Sequence, residues 1–196
     1  MGKIFYIMGK SATGKDTIYE ELLSKQELNL QPFIMYTTRP IRAKETDGVQ
    51  YHFTDVETLK KMQEEGRVIE VRKYDTVYGP WYYFSADGES IDLGKRSCLA
   101  LGTLESYQKM RDYYGADRVL PIYIEVSDAQ RLQRAMKREQ KQAVPNFSEV
   151  CRRYLADEED FAEEKIAGAG IVRRFSNDGE REICMKEAED FIRENL

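Results

Sequence analysis

Apolar runs alternate with helical periodicities along most of this 196-residue chain. Ile4-Phe5-Tyr6-Ile7-Met8, led in by Lys3, is a short run of β-branched, aromatic and aliphatic residues, the signature of a strand buried on both faces. Similar runs at Phe33–Tyr36, Val68–Val71, Ser97–Leu101 and Val119–Val126 predict further strands, with Ile171–Phe175 placed to close the sheet. A 3.6-residue period predicts helices at Asp55–Glu65, Leu104–Tyr114, Asp128–Glu139, Phe147–Glu164 and Glu180–Glu194. Strands that alternate with helices imply an α/β fold with a mainly parallel sheet covered on both faces. Residues 37–84 break the pattern, being rich in tyrosine, glycine and short strands, and read as an insertion. Lys137–Asn146 is highly charged, contains Pro145, and suits a mobile flap.

The length fits one domain with a real core. With 30 basic and 35 acidic residues the net charge is -5, which argues against broad nucleic-acid binding. No apolar stretch approaches the roughly 18 residues that span a bilayer, so no membrane partner is expected. Cys98, Cys151 and Cys184 stand far apart without metal-ligand spacing, and an odd count with no leader pattern points to reduced thiols and a cytoplasmic location. The sole histidine, His52, lies between Tyr51 and Phe53 and reads as a strand residue rather than a catalyst.

Candidate chemistry begins where the first strand ends. Gly9-Lys10-Ser11-Ala12-Thr13-Gly14-Lys15-Asp16-Thr17 fits the phosphate-loop pattern G-x-x-x-x-G-K-[ST], except that Asp16 stands where a hydroxyl is expected. Gly9 and Gly14 allow a tight turn whose N–H groups converge on phosphate oxygens. Thr17–Leu23 has helical spacing, so a positive helix end faces the same anion, and Lys15 adds a point charge. Gly9, Ser11, Thr13, Gly14, Lys15, Asp16 and Thr17 are thus the candidate nucleotide-binding residues, with a nucleoside triphosphate as the expected ligand.

The insertion carries candidate specificity. Arg39 and Arg42, three apart and near tyrosine hydroxyls, can fork onto a monophosphate. A carboxylate such as Glu70 can accept two parallel hydrogen bonds from the N1–H and exocyclic amine of guanine. Adenine lacks that donor pair, and buried unpaired groups make such discrimination large, on the order of 10⁴. Taken alone, both arginines read equally well as solvated loop charges.

Thr37-Thr38-Arg39-x-x-Arg42, then Asp47-Gly48-x-x-Tyr51-x-Phe53, Ile69-Glu70 and Val77-Tyr78-Gly79, in that order after a phosphate loop, resemble the guanylate kinase family over nearly the whole chain. The resemblance implies a P-loop NTPase three-layer α/β/α fold with a core of residues 1–36, 85–136 and 147–196. It also implies a monophosphate-binding insertion (37–84) and a lid (137–146). It assigns the acceptor phosphate to Arg39, Arg42, Tyr51 and Tyr78, and guanine to Glu70. Lid arginines match Arg134, Arg138 and Arg153, and Asn177 matches a residue at the adenine end of ATP. The implied reaction moves the γ-phosphoryl of ATP to GMP or dGMP with Mg²⁺.

The departures are specific. Met35 and Pro80 replace family hydroxyls that help to read guanine, and Ala100 and Gly102 replace the two carboxylates of an Asp-x-Asp segment; no acid lies between Asp92 and Glu105. Asp16 could restore the lost negative charge at magnesium, which prefers one or two carboxylates with phosphates and water; it equally suits the macrodipole at a helix start. Two alternatives stay open: a kinase of the same build for another small phosphorylated acceptor, and an inactive binding module.

Overall fold

The computed structural model describes residues 2–42, 45–76, 78–88, 91 and 93–196; Val77 and Asp92 of the sequence reading lie outside them. Among the described residues the elements run β1 (Ile4–Met8), α1 (Lys15–Ser24), β2 (Gln31–Pro32), β3 (Tyr36–Thr37), β4 (His52–Phe53), α2 (Val56–Glu64), β5 (Val68–Thr76), β6 (Gly79–Ala86) and β7 (Cys98–Gly102). They continue with α3 (Leu104–Tyr114), β8 (Val119–Glu125), α4 (Asp128–Glu139), α5 (Phe147–Asp160), α6 (Glu163–Gly168), β9 (Arg174–Ser176) and α7 (Arg181–Asn195).

A five-stranded parallel sheet, ordered β2-β7-β1-β8-β9, forms the middle layer. Central β1 is buried throughout because its alternating side chains enter different layers. Ile4, Tyr6 and Met8 join Leu104, Tyr107 and Met110 of α3 and Ile166 of α6. Phe5 and Ile7 join Ile18 and Leu22 of α1 and Cys184, Ala188 and Ile192 of α7. Each such fully buried apolar side chain contributes about 1.5–3 kcal/mol. The three-layer expectation holds.

Residues 36–86 build a second sheet, β4-β3-β6-β5, dominated by the antiparallel β5–β6 ribbon. Val71 and Phe84, paired across the ribbon, face α2, where Leu59 and Met62 complete a small core. The opposite face presents the pairs Glu70–Ser85, Arg72–Tyr83 and Tyr74–Trp81. Period-two alternation thus divides the ribbon into a packing face and a face free for chemistry. Two caps fix the adjoining helices: Asp55 accepts from the Thr58 N–H (2.7 Å), and Thr103 from the Ser106 N–H (3.2 Å). The second cap follows directly on β7, so Ser106 falls in the first turn of α3, beside the ribbon.

Three expectations are corrected. Phe33–Tyr36 is not one strand: Gln31–Pro32 pairs with β7 and Tyr36–Thr37 pairs with β4 and β6, so the segment crosses between sheets. The helix expected at Phe147–Glu164 breaks at Phe161, which leaves helical geometry (φ -114°, ψ 37°) and is buried in the core. The last strand begins at Arg174 rather than Ile171; Ile171 instead packs in the core beside α6.

Candidate nucleotide and acceptor sites

The loop between β1 and α1 adopts a backbone that few side chains permit. Gly14 is left-handed (φ 85°), and a Cβ there would come within 2.8 Å of the Asn177 Nδ2. A Cβ on Gly9 would overlap the carbonyl of Ile124. Ala12 is also left-handed (φ 65°), at a cost of about 1–2 kcal/mol that the surrounding contacts must hold. Those contacts are polar and internal. Asn177, buried at the end of β9, donates from Nδ2 to the Thr13 carbonyl (2.7 Å), while its Oδ1 is buried without a partner. The Thr13 hydroxyl donates to the Lys10 carbonyl (3.0 Å). Lys15 and Asp16 open α1, with the Lys15 ammonium 3.5 Å from the exposed Asp16 carboxylate; Thr17, also exposed, sits in the same turn.

Helix α5 reaches this loop with two carboxylates that sequence reasoning missed. Asp157 accepts from the Ser11 N–H at 2.7 Å, and Glu158 from the Lys10 ammonium at 2.8 Å. Arg131 of α4, 1% exposed, binds Asp128 (3.0 Å), Asp157 (3.3 Å) and Glu158 (2.5 Å), and its guanidinium lies over the Tyr154 ring. A full bond set around a buried cation is what makes its burial tolerable. One loop N–H is therefore already matched to an oxyanion, which is the chemistry a phosphate would use.

Of the lid arginines, Arg138 and Arg153 line one cavity of about 480 Å³ with Ser11, Arg131, Glu149 and Asp157. Glu149 accepts from Arg152 and Arg153, and these guanidiniums pull its carboxyl down to about 2. Arg134 is not brought to that cavity; it donates to the Asn177 carbonyl (2.8 Å), at the base of the loop brace.

On the acceptor side, Arg39 is buried. It grips Glu45 with two bonds of 2.9 and 2.8 Å, and its guanidinium lies against the Tyr51 and Phe53 rings. The Glu45 carboxyl, held below the usual range chiefly by Arg39, also accepts from the Arg42 N–H, so Arg39 and Arg42 are organised around one carboxylate. Glu45 lay six residues from Arg39 in the sequence, with no spacing rule to single it out. Tyr51 lines a second cavity of about 440 Å³ on the free face of the ribbon. Tyr78 does not join it: it is 84% exposed and stacks on Trp81.

Glu70 is largely buried, and its Oε1 accepts from Ser85 (3.2 Å) and, in a short bond, from Ser106. Behind them stands Tyr6 of β1. Its hydroxyl bonds Ser106, and burial raises its pKa well above the usual phenol range. That hydroxyl occupies the space a side chain on Gly102 would need. Tyr6 on the central strand and Gly102 on its neighbour are packed as one unit, although sequence pattern alone assigned Tyr6 only to the core.

Among the described residues no group of three or more histidine, cysteine or acidic side chains forms a metal cluster. A magnesium ion taken with a triphosphate suits this donor set, because it needs only one or two carboxylates beside phosphates and water. Asp16 stands at the corresponding loop position.

A parallel sheet with a glycine-and-lysine loop after its first strand, and a second, mainly antiparallel sheet, fit the class of P-loop phosphotransferases. The sequence model for guanylate kinase matches residues 1–163, and the chain belongs to the guanylate kinase family. It is 31% identical to the guanylate kinase of Porphyromonas gingivalis over 91% of this chain and 90% of that protein. To the guanylate kinase of Anaplasma phagocytophilum it is 26% identical, over 98% and 78% of the two chains. The crystal structure of guanylate kinase from Anaplasma phagocytophilum shares the fold, with a TM-score of 0.58 at 20% identity over 98% of this chain and 85% of that one. No helix among the described residues is long and apolar enough to cross a membrane.

Proposed function

We propose that this chain transfers the γ-phosphoryl of ATP to GMP or dGMP, giving ADP and the corresponding diphosphate. The observation that carries the reading is Glu70: a carboxylate fixed by two seryl hydroxyls at the acceptor sheet, able to meet guanine's N1–H and amine. The acceptor phosphate falls to Arg42 and Tyr51, with Tyr78 swinging in from its exposed position, while Arg39, taken up by Glu45, positions Arg42 through that carboxylate. The loop from Gly9 to Thr17 and the Lys15 ammonium hold the triphosphate, and the unpartnered Oδ1 of Asn177 suits the amine of adenine. Arg138 and Arg153 face the transferring group, with Arg134 anchoring the loop end of the lid. A bound Mg²⁺ would neutralise phosphate charge, with Asp16 holding it. The acceptor phosphate is already a nucleophile, so positioning and electrostatics suffice and no general base is required. The donor cavity and the acceptor cavity share no lining residue, so closure of the lid and insertion is needed to join them and exclude water.

A second reading, another small phosphorylated acceptor, draws on Met35 and Pro80, which cannot donate to guanine. ADP release measured with ATP and each nucleoside monophosphate, with and without Mg²⁺, separates the two. Turnover confined to GMP and dGMP and dependent on Mg²⁺ is expected; absence of GMP turnover rejects the first reading.

A further inference from the structure

Glu70 is not the only charged residue on this face of β5. Arg72, two residues on along β5, points to the same face and pairs across the ribbon with Tyr83. It lines the cavity of about 440 Å³ together with Met35, Tyr51, Tyr74, Trp81 and Tyr83. Its Nη2 is 3.5 Å from the Glu70 Oε1 and 3.8 Å from the Met35 sulfur, so the guanidinium bridges a carboxylate and a residue that has no donor to offer. The Arg72 Nε is buried with no partner. The Glu70 oxygen nearest to it already accepts from Ser85 and Ser106, so the ion pair leaves most of the guanidinium's five donors unused. A planar cation with spare donors in an aromatic-walled pocket is equipped to recognise a ligand acceptor.

We propose that Arg72 is a specificity-determining residue that donates to the O6 of the acceptor guanine while Glu70 accepts from N1–H and the exocyclic amine; the inference rests on the GMP reading above. The match is one of order along an edge. Guanine presents one acceptor followed by two donors, and this face of β5 presents the Arg72 cation beside the Glu70 carboxylate. Arginine forked onto guanine O6 and N7 is a recurrent pairing, with discrimination of about 1–3 kcal/mol. Adenine places an amine where O6 would be, which leaves Arg72 unanswered and Glu70 without its donor pair. Arg72 would thus restore, from the ribbon, the hydrogen-bond donor that Met35 and Pro80 cannot supply.

The test compares kcat/KM for GMP, 6-thio-GMP (a weak acceptor at that position) and IMP (no amine) in the wild type, Arg72→Ala and Arg72→Lys. The wild type should favour GMP over 6-thio-GMP by about 10- to 100-fold. Arg72→Ala should bring that ratio close to one and Arg72→Lys should lower it part of the way, while the GMP-to-IMP ratio, set by Glu70, is kept. A purely structural Arg72 would lower all three substrates together and leave the ratios unmoved. A wild-type ratio near one, or a ratio unchanged in the variants, overturns the inference; wild type inactive on GMP overturns the functional reading itself. Should Arg72→Ala be too slow to measure, a ratio in Arg72→Lys between the wild-type value and one still supports the inference, because an ammonium meets O6 but cannot fork, and an unchanged ratio overturns it.

Discussion

The two ends of the site are built on different principles. At the donor end, recognition is written in backbone: Gly9 and Gly14 have no room for a side chain, and Asn177, Asp157 and Arg131 brace the loop from three other elements. At the proposed acceptor end the groups are side chains on one face of a ribbon, Glu70, Arg72 and Tyr74, while Val71 between them packs with α2 on the other face. Backbone-built sites tolerate little change, because every contact is shared with the fold. Side-chain sites can be rewritten one position at a time; Met35 lines the cavity on this face, while Ala100 and Gly102 lie on β7 of the parallel sheet.

The contrast can be broken at its donor end with Lys15→Met. Loss of a charge that acts on the transferring group should lower kcat by about 10³ or more with every acceptor, while acceptor preference is unchanged. Steady-state kinetics across the monophosphates checks this; a change confined to one acceptor would contradict it. Arg131→Met should act on stability first. Removing the buried cation leaves Asp157 with only the Ser11 N–H and Glu158 with only Lys10, and a loss of about 3 kcal/mol is expected in urea unfolding. A variant as stable as the wild type would show that the α4–α5 charge cluster is not what braces the loop.

The acceptor side offers a gentler probe. Gly102→Ala should cost about 1–3 kcal/mol because its Cβ overlaps the Tyr6 hydroxyl, and Tyr6→Phe should recover much of that cost in the double variant. Additive effects in the double-mutant cycle would refute the reciprocal packing. The same overlap leaves no room for a carboxylate side chain at residue 102 beside Tyr6.

Much of this was legible in the chain. The loop after the first strand and the alternation of strands and helices followed from spacing and order, whereas Glu70 as a guanine reader rested on the family resemblance and stands as a proposal. Arg72 was missed although the signal was present: two residues after Glu70 in a strand is the same face, but Val68–Val71 was read as too short a strand to reach it. Asp157 and Glu158 were not legible, since on a helix full of charges only tertiary placement separates a loop brace from a solvated surface. Arg39 was read as free to fork onto phosphate, and its buried grip on Glu45 depends on a turn that periodicity does not encode.

The central claim is that this acceptor face selects guanine through the Glu70 carboxylate while the loop independently holds ATP. It is tested most directly by the kinetics of Glu70→Gln. The account predicts that kcat/KM for GMP falls by about 10²-fold or more while the KM for ATP stays within about twofold, since an amide cannot accept both guanine hydrogens. GMP turnover at the wild-type rate, or an equal loss in ATP binding, would contradict it.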